Sequence, residues 1–292
     1  MDKKANFFIV GTPKAGTTSL YYYLEEHPEI YMSPIKETNH FSYKEIKEQG
    51  LYYNVDYVIT PEAYQDQFSG LTNEKAVGEA SVSYLFYASV PAQIKAYNPE
   101  ARIIIVLRNP VDRGFSHYLM DKRLGFVSNT LEEIVDTGHD KNSQLNLFYQ
   151  QFISLGCYYE QVKRYLDTFG KNQVRVFLYE DIQSDIDEVV KQIYTFLSVN
   201  DKYQPATDRK HNVFLAPKGL FIKKLYTFKP VRKVVKKLFG GPLQDKIKQV
   251  FFEREKKPIL SPALKVKMQA IFKDDITKTA QLINRDLSHW LK

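Results

Sequence analysis

The chain has 292 residues, 41 Lys+Arg against 34 Asp+Glu, and a formal charge of +7. Its 43% hydrophobic and 14% aromatic content is ample for a large core and excludes global disorder. A single cysteine, Cys157, excludes an intrachain disulfide framework and a Cys-rich zinc site, and no apolar run approaches the ~18–20 residues of a membrane span.

In chain order, Asn6–Val10 is a short apolar run bounded by Gly11 and Pro13, and is read as a buried strand. It is too short for the core of a signal peptide, so a soluble chain of a reducing compartment, in the cytoplasm, is expected. Thr17–His27 reads as a helix: Thr17 or Thr18 caps it, Leu20, Tyr23 and Leu24 repeat at helical spacing, and Pro28 lies beyond. Glu29–Met32 is a second short strand. Residues 43–75 are Tyr-rich and irregular, with room for two short helices. Lys75–Ser81 reads as a strand and Pro91–Tyr97 as a helix. Arg102–Leu107 is the clearest strand, because Ile103 to Leu107 are all apolar, as expected where helices cover both sheet faces. Pro110 and Val111 open the next helix. Gln173–Leu178 is a further strand, Ile182–Leu197 a helix, and Pro262–Leu291 a long C-terminal helix. This alternation argues an α/β fold with a parallel central sheet. With no internal repeat, and Gly240-Gly241-Pro242 read as a turn, one domain over 1–292 is expected.

Gly11-Thr12-Pro13-Lys14-Ala15-Gly16-Thr17-Thr18-Ser19 lies between the first strand and its helix, where backbone N–H groups and the positive helix end can hold a phosphate. The Gly-x4-Gly spacing matches the start of a nucleotide P-loop. Thr-Thr then replaces Lys-[Ser/Thr], and the lysine has moved into the loop as Lys14, which counts against a metal-dependent NTPase. The plain alternative is a Gly/Pro turn followed by a helix cap. Downstream, Arg108-Asn-Pro-Val-Asp-Arg-Gly-Phe-Ser116 sets a guanidinium at a strand end and a hydroxyl eight residues on, a second pair suited to phosphate oxygens. The alternative there is an Arg108 paired to a structural carboxylate. Arg113 is expected on the surface or in an ion pair, and His117 as a helix residue.

Pro13–Thr18 resembles the 5′-phosphosulfate loop of the sulfotransferases that use 3′-phosphoadenosine 5′-phosphosulfate (PAPS), Pro-[Lys/Arg]-[Ala/Ser]-Gly-Thr-Thr, at each position. The resemblance implies a P-loop-like central parallel sheet flanked by helices. It implies PAPS as cofactor, Lys14 at the phosphate–sulfate bridge, and Ala15, Gly16, Thr17, Thr18 and Ser19 around the phosphate. It also implies Arg108 and Ser116 on the 3′-phosphate. Gly156-Cys-Tyr-Tyr159 and Tyr179-Glu-Asp-Ile182 are similar to two further family segments. Tyr179 is then either an adenine platform or a core residue, and Arg209 and Lys210 match a basic cofactor-covering loop.

Lys36-Glu37-Thr-Asn-His40-Phe41 resembles the Lys-Glu-x-His-Phe element of polysaccharide-type sulfotransferases, with one extra residue before His-Phe. The resemblance implies Glu37 as general base and Lys36 near the transferred sulfonate, with His40 as the alternative base. Gly78-Glu79-Ala-Ser81-x-x-Tyr84 resembles an element lining the acceptor cleft, where Glu79 either orients a lysine or binds substrate. The implied acceptor is a hydroxyl or amine of a glycan, glycolipid or small molecule. An ATP-using P-loop kinase and a non-catalytic binder of PAPS or acidic glycans remain the alternatives. His27, His139 and His289 lack partners at metal-ligand spacing, so no metal is expected.

The net charge is local. Lys218 to Lys248 carries ten basic residues against one acid, Asp245, while the rest of the chain sums to −2. Leu220, Phe221, Leu225, Phe228, Val231, Val235, Leu238 and Phe239 recur through it at roughly helical spacing. A solvated helix pair, peripheral contact with an anionic membrane surface, and attraction of a polyanionic acceptor all fit this pattern. No nucleic-acid motif accompanies it, so nucleic acid is not an expected partner.

Overall fold

The computed structural model describes residues 4–53, 58–206, 216–217, 252–253 and 258–292. Arg209, Lys210 and the basic stretch 218–248 lie outside them.

The strands β1 (Phe7–Ile9), β2 (Ile30–Met32), β3 (Ala76–Ala80), β4 (Arg102–Leu107) and β5 (Val174–Leu178) form one sheet in the order β2-β3-β1-β4-β5. Every pairing is parallel, with Ile9 opposite both Ala80 and Ile104, and Leu107 opposite Leu178. The apolar run of β4 follows from period-two alternation between two covered faces. Ile103, Ile105 and Leu107 join Phe8 in one layer with Val111, Tyr165, Phe272 and Trp290. Ile104 and Val106 join Phe7 and Ile9 in the other, with Leu20, Leu24, Val190 and Ile193.

Helices α1 (Thr17–Glu25), α2 (Tyr43–Glu48), α3 (Pro61–Asp66), α4 (Val90–Tyr97), α5 (Pro110–Leu124), α6 (Leu131–Thr137), α7 (Asn146–Phe152) and α8 (Tyr159–Phe169) precede β5. After it come α9 (Tyr179–Ser184), α10 (Ile186–Leu197), a two-residue antiparallel pair (Ala216–Pro217 with Phe252–Glu253) and α11 (Pro262–Ile283). The two short helices expected within 43–75 are α2 and α3.

Several boundaries differ from the sequence expectation for local reasons. Neither Thr17 nor Thr18 caps α1; the cap is Gly16 at φ 87°, with no side-chain hydrogen bond. The helix stops before His27, whose Nδ1 accepts from the Glu29 amide (3.0 Å) and whose Nε2 donates to the Asn200 carbonyl (2.9 Å). The helix expected over Ile182–Leu197 is split at Asp185, whose carboxylate accepts from the Glu188 amide (3.0 Å) and starts α10. The long C-terminal helix ends at Asn284 in the left-handed region, and Ser288–Leu291 forms a separate 3-10 turn that buries Trp290. No helix among the described residues is long and apolar enough to cross a membrane.

Gly78 lies in β3 with no room for a side chain. A Cβ there would meet the Phe7 ring and come within 2.6 Å of Met32 Sδ. Gly78→Ala is therefore expected to destabilise the fold by about 1–3 kcal/mol. The measurement is a lower urea midpoint with an unchanged slope.

Candidate active site

In an all-parallel sheet the free loops gather at the carboxyl ends of the strands, and ligands bind there. Each predicted site residue in the described part of this chain lies on a segment that follows such an end. The loop after β1 stays docked on β4: the Thr12 amide donates to the Val106 carbonyl (3.1 Å). A Cβ on Gly11 would lie 2.9 Å from Val106 N and 3.0 Å from its carbonyl oxygen, so only glycine permits this approach. The loop then turns through Lys14 at φ 70° and Gly16 at φ 87° and enters α1. Ala15 and Thr17 are buried, while Thr18 and Ser19 are half-buried on the first turn. That helix start has no side-chain cap, so its first amides are presented as an anion cradle.

Arg108, directly after β4, braces the same loop. Its Nη1 donates to the Lys14 carbonyl (2.8 Å), and its guanidinium lies 4.5 Å from the Tyr179 ring centre. Tyr179 opens α9 and is half-buried; its ring would touch a Cβ on Gly16 at 3.2 Å. The ring thus packs between the phosphate loop and Arg108 rather than in the core. Ser116 is half-buried on α5, one turn before Met120, whose Sδ receives the Lys14 ammonium at 3.7 Å. The two residues share a helix face, which sets Ser116 on the side of α5 that meets the loop.

The second half of the site follows β2 and β3. Glu37 sits at φ 65°, its amide donating to the Ala80 carbonyl (2.8 Å). One carboxylate oxygen accepts from the Val82 amide (2.8 Å) and the other from the Lys36 ammonium. His40 Nδ1 donates to the Val58 carbonyl (2.8 Å), and its ring stacks on Tyr64 at 4.3 Å. Burial lowers the His40 pKa, which favours the neutral ring.

Two residues depart from expectation. Arg113 is neither on the surface nor in an ion pair: it is fully buried, and Nη2 donates to the Gln151 (2.9 Å) and Phe152 (2.6 Å) carbonyls at the end of α7. A helix C-terminus has carbonyls without partners, and the guanidinium satisfies them. Glu79 contacts no lysine; it is fully buried among hydroxyls. Arg113 also begins a polar stripe at helical spacing, Arg113-His117-Asp121, that sequence reading missed as a unit. Tyr52 (2.7 Å) and Tyr53 (2.5 Å) donate to Asp121 Oδ2, and Tyr53 accepts from His117 Nε2 (2.6 Å). His117 Nδ1 lies 3.3 Å from Arg113 Nη1 and 3.2 Å from the Gln151 carbonyl oxygen. Burial, with Arg113 adding to it, holds His117 well below the usual histidine range, so it is neutral.

The sulfotransferase domain model matches residues 4–280. The chain belongs to the sulfotransferase family. A crystal structure of a sulfotransferase from Alicyclobacillus acidocaldarius is similar at 31% identity, with TM-score 0.74 and 99% of each chain covered. The bifunctional heparan sulfate N-deacetylase/N-sulfotransferase 4 of Mus musculus is 27% identical over 213 residues, which is 69% of this chain and 23% of that protein. This chain therefore spans less than a quarter of that relative. A mouse sulfotransferase complexed with PAP shares the fold at 14% identity and TM-score 0.52, over 98% of this chain and 88% of that one. The kinase alternative gives way to this family membership.

Burial pushes the Asp121 carboxyl up from 3.8 to about 6. The folded state then holds a proton that the unfolded chain releases above about 4, so the stabilisation contributed by Asp121 itself is full below about 4 and is lost as pH rises from about 4 to 6. At ~1.4 kcal/mol per pKa unit the loss is about 3 kcal/mol. Asp121→Asn is expected to remove this contribution, so that in thermal melts recorded from pH 4 to 8 the difference between wild type and variant changes between pH 4 and 6 and is constant above.

Proposed function

We propose that this sulfotransferase moves a sulfonate group from PAPS to a hydroxyl or amine of a glycan-type acceptor, with Glu37 as general base. The observation that carries the reading is the setting of Glu37: a carboxylate with a lysine at its side, anchored on β3, the strand next to the one that feeds the phosphate loop. Proton removal from an acceptor needs a carboxylate or imidazole within reach, and the group leaving the sulfur needs cations.

The residues present fit the cofactor. Gly11 and Gly16 give the loop its close approach and its uncapped helix start. These groups, with Thr17, Thr18 and Ser19, would hold the 5′-phosphosulfate, and Arg108 and Ser116 the 3′-phosphate. Bound PAPS supplies the sulfonate and, as PAP, the leaving group. On the protein side, Glu37 takes the acceptor proton, and Lys14 and Lys36 balance the negative charge of the transferring group. Tyr179 and Arg108 keep the loop in shape. His40 is better suited to fixing the loop, since its ring is stacked and its Nδ1–H is committed to Val58. A glycan acceptor is supported by the relatives, whose names specify heparan sulfate and carbohydrate sulfotransferases.

Radiolabelled transfer from [35S]PAPS to N-deacetylated heparosan, a glycolipid extract and 4-nitrophenol tests the reading. Glu37→Gln is expected to lower transfer by roughly 10²–10⁴-fold, the usual range for a general base, with PAP affinity unchanged by calorimetry. Lys14→Ala should lower both transfer and PAP affinity. Full activity in Glu37→Gln would sink the base assignment.

A further inference from the structure

We infer that Glu79 is a positioning residue for the Glu37 loop: its buried carboxylate, gripping Thr38 and Ser81, fixes the backbone that aims Glu37. This rests on the reading of Glu37 as the base.

Glu79 lies on β3 opposite Phe8, with no solvent exposure. Its Oε1 accepts from Thr38 Oγ1 (2.9 Å) and from Ser81 Oγ (2.6 Å), and its Oε2 from the Tyr64 hydroxyl (3.4 Å). Thr38 is the residue after Glu37. Ser81 Oγ in turn accepts from the Asn39 amide (3.0 Å), and Thr38 Oγ1 accepts from the His40 amide (3.4 Å). A single carboxylate oxygen therefore holds the loop at Thr38 and, through the two hydroxyls, at the Asn39 and His40 amides that follow Glu37.

The polarity of these bonds favours an acceptor-only group. A carboxylate draws the Thr38 and Ser81 hydrogens toward itself, which turns their lone pairs to the loop amides. What it stabilises is otherwise unfavourable. Glu37 at φ 65° and Asn39 at φ 52° both occupy the left-handed region, which is costly for a side chain such as glutamate. Asn39 adds a cross-brace: Nδ2 donates to the Glu37 carbonyl (2.8 Å), and Oδ1 accepts from Ser83 (2.6 Å). With the backbone turned this way, the Glu37 amide meets the Ala80 carbonyl and its carboxylate meets the Val82 amide.

The titratable groups facing Glu79 are Glu37 on the loop, Tyr64 on α3, Tyr84 after β3, Tyr97 on α4 and Tyr165 on α8. Burial pushes Glu79 up to about 7. A buried carboxylate held only by hydroxyls is a poor choice for stability alone. Its return is the geometry of the loop.

The test is amide hydrogen exchange at pH 8, where Glu79 is a carboxylate, together with sulfonate transfer and PAP binding. Glu79→Ala and Thr38→Val are each expected to speed exchange over residues 36–42 at least tenfold, leaving 102–107 unchanged. Both should keep PAP affinity and the KM for PAPS within twofold while kcat for the labelled acceptor falls at least tenfold. Glu79→Gln retains an acceptor oxygen for Thr38 and Ser81 and is expected to restore the exchange pattern to within threefold. Thr38→Val leaves the core acid in place, so it decides the matter if Glu79→Ala does not fold. Unchanged exchange over 36–42 in folded Thr38→Val and Glu79→Ala overturns the proposal, even with Glu37→Gln inactive. Faster exchange in both variants, with Glu37→Gln fully active, keeps the positioning role and removes only the base reading.

Discussion

The backbone of Gly11 lies against the backbone of Val106, with no space between them for a methyl group. From this contact the rest of the site takes its dimensions. The loop after β1 cannot lift away from β4, because the Thr12 amide is bound to the Val106 carbonyl. Two residues beyond Val106, Arg108 is then close enough to hold the Lys14 carbonyl, and Tyr179 after β5 closes on Gly16. On the other flank β3 lies beside β1, so the Glu37 loop, tied to Ala80, is one strand spacing away, roughly 4.8 Å. The strand order thus sets the Glu37 loop on the β2–β3 side, Arg108 and Tyr179 on the β4–β5 side, and Lys14 between them.

The charges divide in the same way. Cations line the loops: Lys14, Lys36 and Arg108. The two deeply buried acids, Glu79 and Asp121, are held by hydroxyls of Thr38, Ser81, Tyr52, Tyr53 and Tyr64 instead of by lysine or arginine. The one fully buried guanidinium among the described residues, Arg113, is spent on helix-end carbonyls and a neutral histidine.

What was legible in the sequence was local. The apolar run of β4, the Gly/Pro punctuation around residues 11–16 and the helix starts at Pro110 and Pro262 are encoded within a few neighbours, and they folded as read. The motifs at 13–18, 36–41 and 108–116 were legible through their resemblance to the family's elements. Arg113 and Glu79 were not legible, for a common reason. Each is a charged residue with decisive partners far along the chain, Gln151 and Phe152 for the first and Thr38 for the second. A charge looks solvent-facing until its distant partners are known. The periodic stripe Arg113-His117-Asp121 was the available clue, since three polar residues on one helix face rarely all meet water in a covered sheet. Asp185 shows the same limit on a smaller scale: whether a mid-helix aspartate caps or continues a helix depends on packing.

Backbone strain gives the last connection. Among the described residues, the non-glycine positions with positive φ are Lys14, Glu37, Asn39, Ser198 and Asn284. Ser198 and Asn284 are the ends of α10 and α11, where a left-handed residue is an ordinary helix stop. The other three lie in the two site loops, and Lys14 and Glu37 are the residues assigned the chemistry. Left-handed backbone costs roughly 1–2 kcal/mol per ordinary residue. It persists only where surrounding bonds over-determine it. Around Lys14 those bonds are the Arg108 brace and the docking on Val106; around Glu37 they are Ala80, Val82, Asn39 and the hydroxyls gathered by Glu79. Relaxing either loop would recover stability and misdirect its reactive group. The same hydrogen bonds that look redundant for folding are therefore the ones that hold Glu37 and Lys14 in place.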